Sequence, residues 1–416
     1  MSARLDHLVA RTRRLDADVD LLAFAGRDGV LFERGRAGLA GRGCAARIPW
    51  PGGDRDPASA ATRVSQALAP VEVDDQVGLP GCGAVAFGAL PFAASAPSEL
   101  VVPAVLAGRS EDGARWLTTI DRREGGTDRP PPPLAAPDER LPPVRRFTVA
   151  AQRHPDDWCD LVERATKVMA GGAFAKVVLA RQIDVEADRP LDRLAVLGRL
   201  RSAYPGCHVV AVDGFVAASP ELLVSRAGDI VRSHPMAGTA PRGGDPTTDQ
   251  RLAASLLAST KDRQEHQITI DMVHDTLLPW CSYLDYEAEP SVVAVANVQH
   301  LATLVEGRLS QPAPSVLELA AALHPTPAVA GWPRDEAVAW IAENEGFDRR
   351  RYAGTCGWVD ATGNGAWAVS VRCAEIDGTA AHVWAGNGIV ADSDPPTELA
   401  ETRAKLQALL AAIVRP

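Results

Sequence analysis

An α+β protein rich in antiparallel sheet is the expectation for this chain, and two observations carry it. Between residues 19 and 120, short apolar runs (LLAFAG, GAVAFGALPF, ELVVPAVLAG, RWLTTI) alternate with Gly-rich turns, the pattern of strands joined by tight connections. After residue 150, segments of helical length are interleaved with β-branched runs such as FAKVVLARQIDV and HVVAVDGFVAASPELLVSR.

Taken in order, the opening stretch MSARLDHLVARTRRLDADVD reads as a charged amphipathic helix without the apolar segment of a leader peptide. The strands of residues 19 to 120 follow. DRPPPPLAAPDERLPP, 128 to 143, is too proline-dense for a helix or a central strand and is expected to be an extended surface connection. Beyond it come a helix near 155 to 170, the strand near 174 to 185, a helix near 191 to 203 and a strand pair. A long polar helix is expected over about 247 to 278, strands near 353 to 374 and 380 to 391, and a last helix that begins after SDPP and runs to about residue 412. No internal repeat is present at a fixed period.

The 416 residues leave room for two or three domains or for one large sandwich. With 43 Lys plus Arg against 53 Asp plus Glu, the net charge of −10 offers no broad basic field, which argues against nucleic acid as a partner. The seven cysteines stand singly and in odd number, without a CxxC pair, so they read as reduced, mostly buried thiols. No run approaches the ~18 apolar residues of a bilayer span. A cytoplasmic protein without membrane contact is expected.

Four places hold polar groups that packing alone does not require. Lys176 stands directly ahead of Val177, Val178 and Leu179, and a buried lysine needs a partner because its ammonium is costly to desolvate. The plain alternative is an edge-strand lysine facing water. Glu221 of SPELLVSR precedes another apolar run; its plain alternative is a solvated carboxylate at a strand start. In KDRQEH, Asp262, Glu265 and His266 share one helical face and can offer two carboxylates to a cation. Glu398, Glu401 and Lys405 repeat that spacing in the last helix, where a dipole-compatible first turn and an i, i+4 ion pair account for them equally well.

These places are joined by longer matches. FAKVVLAR, SPELL, HPMAGTAPRG, LLASTKDRQEH, LHPTPAVAG, RRYAGTCGWVD, WAVSVRCAEI and AGNGIVADSDPPTELAETRAKL occur in one order across residues 150 to 416. In them the chain resembles the chorismate-utilising enzymes, and among these the isochorismate synthases. The N-terminal part matches more weakly, through GALPF and ELVVPAVL.

The resemblance implies one α+β domain over residues 1 to 416: two large antiparallel sheets packed as a sandwich, helices outside, and a site in a cleft between the sheets. Residues 1 to 127 then supply sandwich strands, 128 to 143 a loop, and 150 to 416 the motif-bearing part. It also implies a reaction, the conversion of chorismate to isochorismate, in which water attacks C2 while the C4 hydroxyl leaves. Lys176 is implied as the base that activates water and Glu221 as the acid that protonates the departing hydroxyl. Such a lysine must act neutral and such a glutamate needs a raised pKa, and an apolar setting favours both.

For a dicarboxylate substrate, the resemblance further implies a magnesium ion on Glu265 and Glu401, supported by Asp262 and Glu398. Arg372 and Lys405 match positions that bind substrate carboxylates. Gly238, Thr239 and Gly388 match places where backbone nears the ligand, and His324 and Thr326 of LHPTPAV are carried over from the same family, although such a turn can be purely structural. Ala328 and Val329 keep the small-then-aliphatic pattern of isochorismate synthases, against the alternative of a salicylate synthase that also releases pyruvate.

A non-catalytic chorismate-binding homologue would be expected to lack Lys176, Glu221, Glu265 or Glu401, and all four are present. Two positions depart from the family pattern: Ala366 stands where relatives commonly have Glu, and Asn387 where they have Ala. The destination of the product, a catechol siderophore, menaquinone or another natural product, leaves no mark on these residues. A monomer is the usual form in the branch resembled.

Overall fold

The computed structural model describes residues 5–52, 57–122, 133–134, 141–295 and 298–414. Most of the proline-rich stretch expected to be a surface connection lies outside the described residues. Among the described residues, two large sheets and one small sheet account for the strands. The largest, of thirteen strands, runs from Phe147–Ala151 through Lys176–Ala187, Ala380–Ile389, Cys373–Asp377, Phe215–Ser219 and His208–Val212. It continues through Val30–Arg34, Ala37–Arg42, Val105–Arg109, Arg115–Arg122 and Leu8–Arg14 to Glu72–Asp75, and the short Gly331–Trp332, paired beside Lys176–Ala187, is the thirteenth. The nine-stranded sheet also mixes early segments (Val85–Leu90, Ser98–Val102, Ala46–Trp50) with late ones such as Leu222–Ala227 and Thr355–Asp360. Pairing is antiparallel apart from the parallel neighbours Leu8–Arg14 and Glu72–Asp75.

Strands of the larger sheet that are apolar on both faces explain why their sequences run on rather than alternate. In His208–Val212 and Phe215–Ser219, Val210, Val212, Phe215 and Ala217 face a core shared with Phe87 and Trp367 of the other sheet. Val209, Ala211, Val216 and Ala218 face a second core, closed by Leu197 and Leu200 of the helix Arg193–Ala203 and by Leu406 and Leu409 of the last helix, Pro395–Ile413. Among the described residues no helix is long and apolar enough to cross a membrane.

Three expectations are corrected. The opening stretch is not a helix: Leu8–Arg14 is a strand, in which Leu8, Ala10 and Thr12 point inward and Thr12 Oγ1 lies 2.8 Å from Thr118 Oγ1 of its antiparallel neighbour. Its arginines suggested an amphipathic helix, but the residues bury with period two, and sheet partners far along the chain select that period. The region 19 to 120 is not all strand, because Leu21–Ala25 and Pro57–Leu68 are helices; the first is capped by Asp20, which accepts from the Leu22 and Ala23 amides. The polar helix of 247 to 278 is two helices, Pro246–Ala258 and Thr260–Leu277. Ser259 ends the first in an extended conformation and caps the second, its hydroxyl accepting from the Asp262 amide at 3.2 Å.

A buried ion pair bolts the site-bearing strand in place. Arg349 and Glu345 are both enclosed, with Arg349 Nε 2.6 Å from Glu345 Oε2. Arg349 also donates to the carbonyls of Val329 (3.0 Å) and Val178 (2.6 Å), while Glu345 Oε1 accepts from the Ala180 amide at 2.6 Å. Arg349→Met strands a buried carboxylate and is expected to cost about 3–5 kcal/mol, read as a lower denaturant midpoint at unchanged m-value.

Candidate active site

Lys176 opens the strand Lys176–Ala187, and that strand is interior: it pairs with Phe147–Ala151 on one side and Ala380–Ile389 on the other, while Lys176 itself pairs with Trp332. The water-facing alternative is therefore excluded, and Lys176 is only 8 % exposed. Its Nζ lies 2.5 Å from Glu265 Oε1, on the helix that Ser259 restarts. Burial opposes the charge on Glu265, but Lys176 above all, with Lys261 and Lys405, holds its carboxyl below the usual range. Gly388 sits opposite; a Cβ there would come within 2.7 Å of Lys176 Cε, so the glycine makes room for the lysine.

Glu221 sits where the chain crosses between sheets, for Phe215–Ser219 belongs to the larger and Leu222–Ala227 to the smaller. The crossing leaves its side chain 5 % exposed, which rules out the solvated alternative. Burial raises its carboxyl to about 7 against the opposing pull of the Met236 amide, which donates to Oε1 at 3.4 Å, and of Lys176 and Arg372. The carboxyl therefore titrates near neutrality, well above an ordinary glutamate.

Both side chains open into one cleft. Gly238, Thr239, Glu265, Ala328 and Val329 line it, as do Arg372, Gly388 and Lys405. The structure thus brings together residues spread over more than two hundred positions. His324 and Thr326 are not among them. His324 lines a separate cavity beside Phe92, whose carbonyl lies 3.4 Å from its Nε2, and burial lowers its pKa to about 4. Thr326 is buried, and its carbonyl accepts from the Val329 and Ala330 amides, so it closes the turn that presents Ala328 and Val329. Asp262 is half-buried against Gly238 and does not line the cleft.

Several lining residues escaped the sequence reading. His300, from the strand Val298–Ala302, has Nδ1 3.2 Å from the Gly238 carbonyl and 3.1 Å from Thr239 Oγ1, and Nε2 3.0 Å from Arg372 Nη2. Arginine only donates, so Nε2 accepts and Nδ1 carries the proton. Burial first, and the Arg372 cation next, push the imidazole down to about 3, so it stays neutral and braces the guanidinium. Arg372 itself has φ +48°, a conformation that costs about 1–3 kcal/mol and is held by its surroundings. The sequence signal for His300 was a histidine inside the strand run VQHLA. Tyr352 and Trp384, stacked at 6.2 Å and 12°, supply a flat aromatic wall.

At the last helix, Lys405 Nζ is 2.8 Å from Glu401 Oε1. Glu398 accepts from Ser393 Oγ at 2.8 Å and from Asn387 Nδ2 at 2.9 Å; burial raises its pKa despite those bonds. Among the described residues no group of three or more His, Cys, Asp or Glu side chains is arranged to hold a metal. Glu265 lines the cleft and is paired with Lys176, while Glu401, which does not line it, is paired with Lys405.

The sequence model of the family described as chorismate binding enzyme matches residues 131–414. The chain belongs to this family. Every site residue named above except Phe92 lies within the matched span. Isochorismate synthase DhbC of Bacillus subtilis (strain 168) is 33% identical over 386 residues, covering 90% of this chain and 91% of that protein. Isochorismate synthase EntC of Escherichia coli (strain K12) is 35% identical over 331 residues, covering 78% and 80%. The solved structure of MenF, the menaquinone-specific isochorismate synthase from Escherichia coli, superposes with a TM-score of 0.80 at 24% identity, covering 97% of this chain and 94% of that one, which establishes the shared fold. As a chorismate-binding enzyme, the chain acts on a small molecule, and the cleft is the enclosure that suits one.

Proposed function

We propose that this enzyme is a magnesium-dependent isochorismate synthase. The observation that carries the reading is the presence, in one cleft, of a buried lysine and a buried glutamate whose carboxyl burial pushes up to about 7. Lys176, the cationic partner of Glu265 in this structure, would act in its amine form and take a proton from the water that attacks C2. Glu221 gives a proton to the C4 hydroxyl, which departs as water while the ring double bonds shift. Each transfer uses one group, and the net change is a hydroxyl moved from C4 to C2. Arg372, braced by His300, suits a bidentate grip on one carboxylate, and Lys405 supplies a second cation. A magnesium ion on Glu265 and Glu401, with Asp262 and Glu398 outside them, would neutralise the ring carboxylate.

The deciding experiment incubates pure protein with chorismate and magnesium and separates the products. Isochorismate in equilibrium with chorismate is the expected outcome, with little salicylate or pyruvate. Pyruvate loss requires the enolpyruvyl arm to fold toward the hydrogen at C2, and Ala328 and Val329 line the cleft where they can wall off that movement. Contacts of this size alter a barrier by roughly 1–3 kcal/mol. Stoichiometric pyruvate in a lactate-dehydrogenase-coupled assay would instead make the chain a salicylate synthase.

Because the acid must be protonated, kcat/KM is expected to fall as pH rises through about 7, where Glu221 ionises. A profile flat across that region removes Glu221 from the acid role.

A further inference from the structure

Asn387 lies between Gly386 and Gly388, both of which line the cleft, so in the strand Ala380–Ile389 its side chain points to the opposite face, toward the last helix. It is 2 % exposed and uses both ends of its carboxamide. Nδ2 donates to Glu398 Oε2 at 2.9 Å and to the Glu398 carbonyl at 3.1 Å, while Oδ1 accepts from Lys405 Nζ at 2.7 Å. The Lys405 ammonium donates to Asn387 Oδ1 and to the Gly386 carbonyl at 3.1 Å, and it forms an ion pair with Glu401, whose Oε1 lies 2.8 Å away.

This geometry has a consequence for ligand binding. Of the three acceptors, the Gly386 carbonyl is fixed in the sheet and Asn387 is fixed by its bonds to Glu398. The Glu401 carboxylate, 37 % exposed, can turn away without disturbing the strand or the bonds between Asn387 and Glu398. Glu398, in contrast, has one oxygen on Ser393 and the other on Asn387, two neutral donors that keep it in place.

We propose that Asn387 is a positioning residue for substrate binding: it holds the Lys405 ammonium at the cleft through two fixed acceptors, its own and that of Gly386, so that when Glu401 turns away the remaining N–H and the charge face a substrate carboxylate. By occupying Glu398, it also keeps that carboxylate as support and leaves Glu401 as the group that exchanges. The proposal rests on the reading of the cleft as a chorismate site. An aliphatic residue at 387 could make neither bond, and aspartate could make only the one to Lys405.

The test measures chorismate affinity by calorimetry with magnesium present, in a Glu221→Gln background so that ligand is not consumed, beside kcat and KM in the otherwise unaltered enzyme. Asn387→Leu, close in volume, is expected to weaken chorismate binding and raise KM by roughly tenfold, the loss of a hydrogen bond to a charged group, with kcat changed by less than about threefold. Asn387→Asp keeps the Lys405 acceptor and is expected to stay nearer the parent affinity, which also covers a Leu variant that does not fold. In a Lys405→Met background the effect of Asn387→Leu should shrink to less than about twofold, because the two residues act as a unit. Parent-like affinity in Asn387→Leu, or an equal loss with and without Lys405, overturns the positioning role. If the chain with Asn387 and Lys405 intact does not bind chorismate, the functional reading falls and this proposal with it; binding that ignores residue 387 sinks the proposal alone.

Discussion

Lys176→Ala and Glu221→Gln are each expected to lower turnover of chorismate by about 10² to 10⁴, the usual loss on removing a positioned base or acid. The size follows from where the groups sit. Lys176 is in an interior strand and paired with Glu265, and Glu221 is enclosed at the crossing between sheets, so each is held at its own place in the cleft. The Glu221→Gln change preserves shape and the bond from the Met236 amide, and its melting temperature should stay close to that of the parent. Lys176→Ala removes the cation beside Glu265, and a modest loss of stability is expected with it. Turnover within about tenfold of the parent in either variant, measured by product chromatography, takes that residue out of the mechanism.

Treatment with EDTA is expected to abolish activity, and added magnesium to restore it, while the melting profile stays folded throughout. Glu265→Ala and Glu401→Ala should each cripple turnover and weaken binding of manganese(II), followed by electron paramagnetic resonance in the absence of substrate. The binding measurement matters because each glutamate also holds a lysine, Glu265 at Lys176 and Glu401 at Lys405, so activity alone does not separate loss of metal from release of a lysine. Full activity in EDTA-treated protein would return both glutamates to the plain role of ion-pair partners on helix surfaces.

The local signals that proved readable were those in which neighbours along the chain do the work. The helix over Pro155–Ala170, the one at Arg193–Ala203 and the last helix follow from their own spacing and caps. The segments carrying Lys176 and Glu221 were legible because a charge set into an apolar run is costly to leave unpartnered, those carrying Glu265 and Lys405 because charged residues recur at helical spacing, and Arg372 only through the family resemblance. Other features depend on groups distant in sequence. Leu8–Arg14 became a strand because Arg115–Arg122 pairs with it, a partner that no window of local sequence contains. The break at Ser259 was available locally, in a serine three residues ahead of an aspartate, yet its effect, turning Glu265 toward Lys176, exists only after the sheet has placed the lysine. His300 acquires a role through Arg372, seventy-two positions later, whereas His324 and Thr326, equally suggestive as residues, were carried into a neighbouring turn and cavity. Asn387 read as an odd substitution beside a glycine; strand alternation put it on the far side of the cleft wall, where its two polar ends meet Glu398 and Lys405. Residue type and order were enough to place the chain in its family, because the motifs stand in the sequence whatever the fold, but which charges face one another depended on the register of strands that the chain brings together from its two ends.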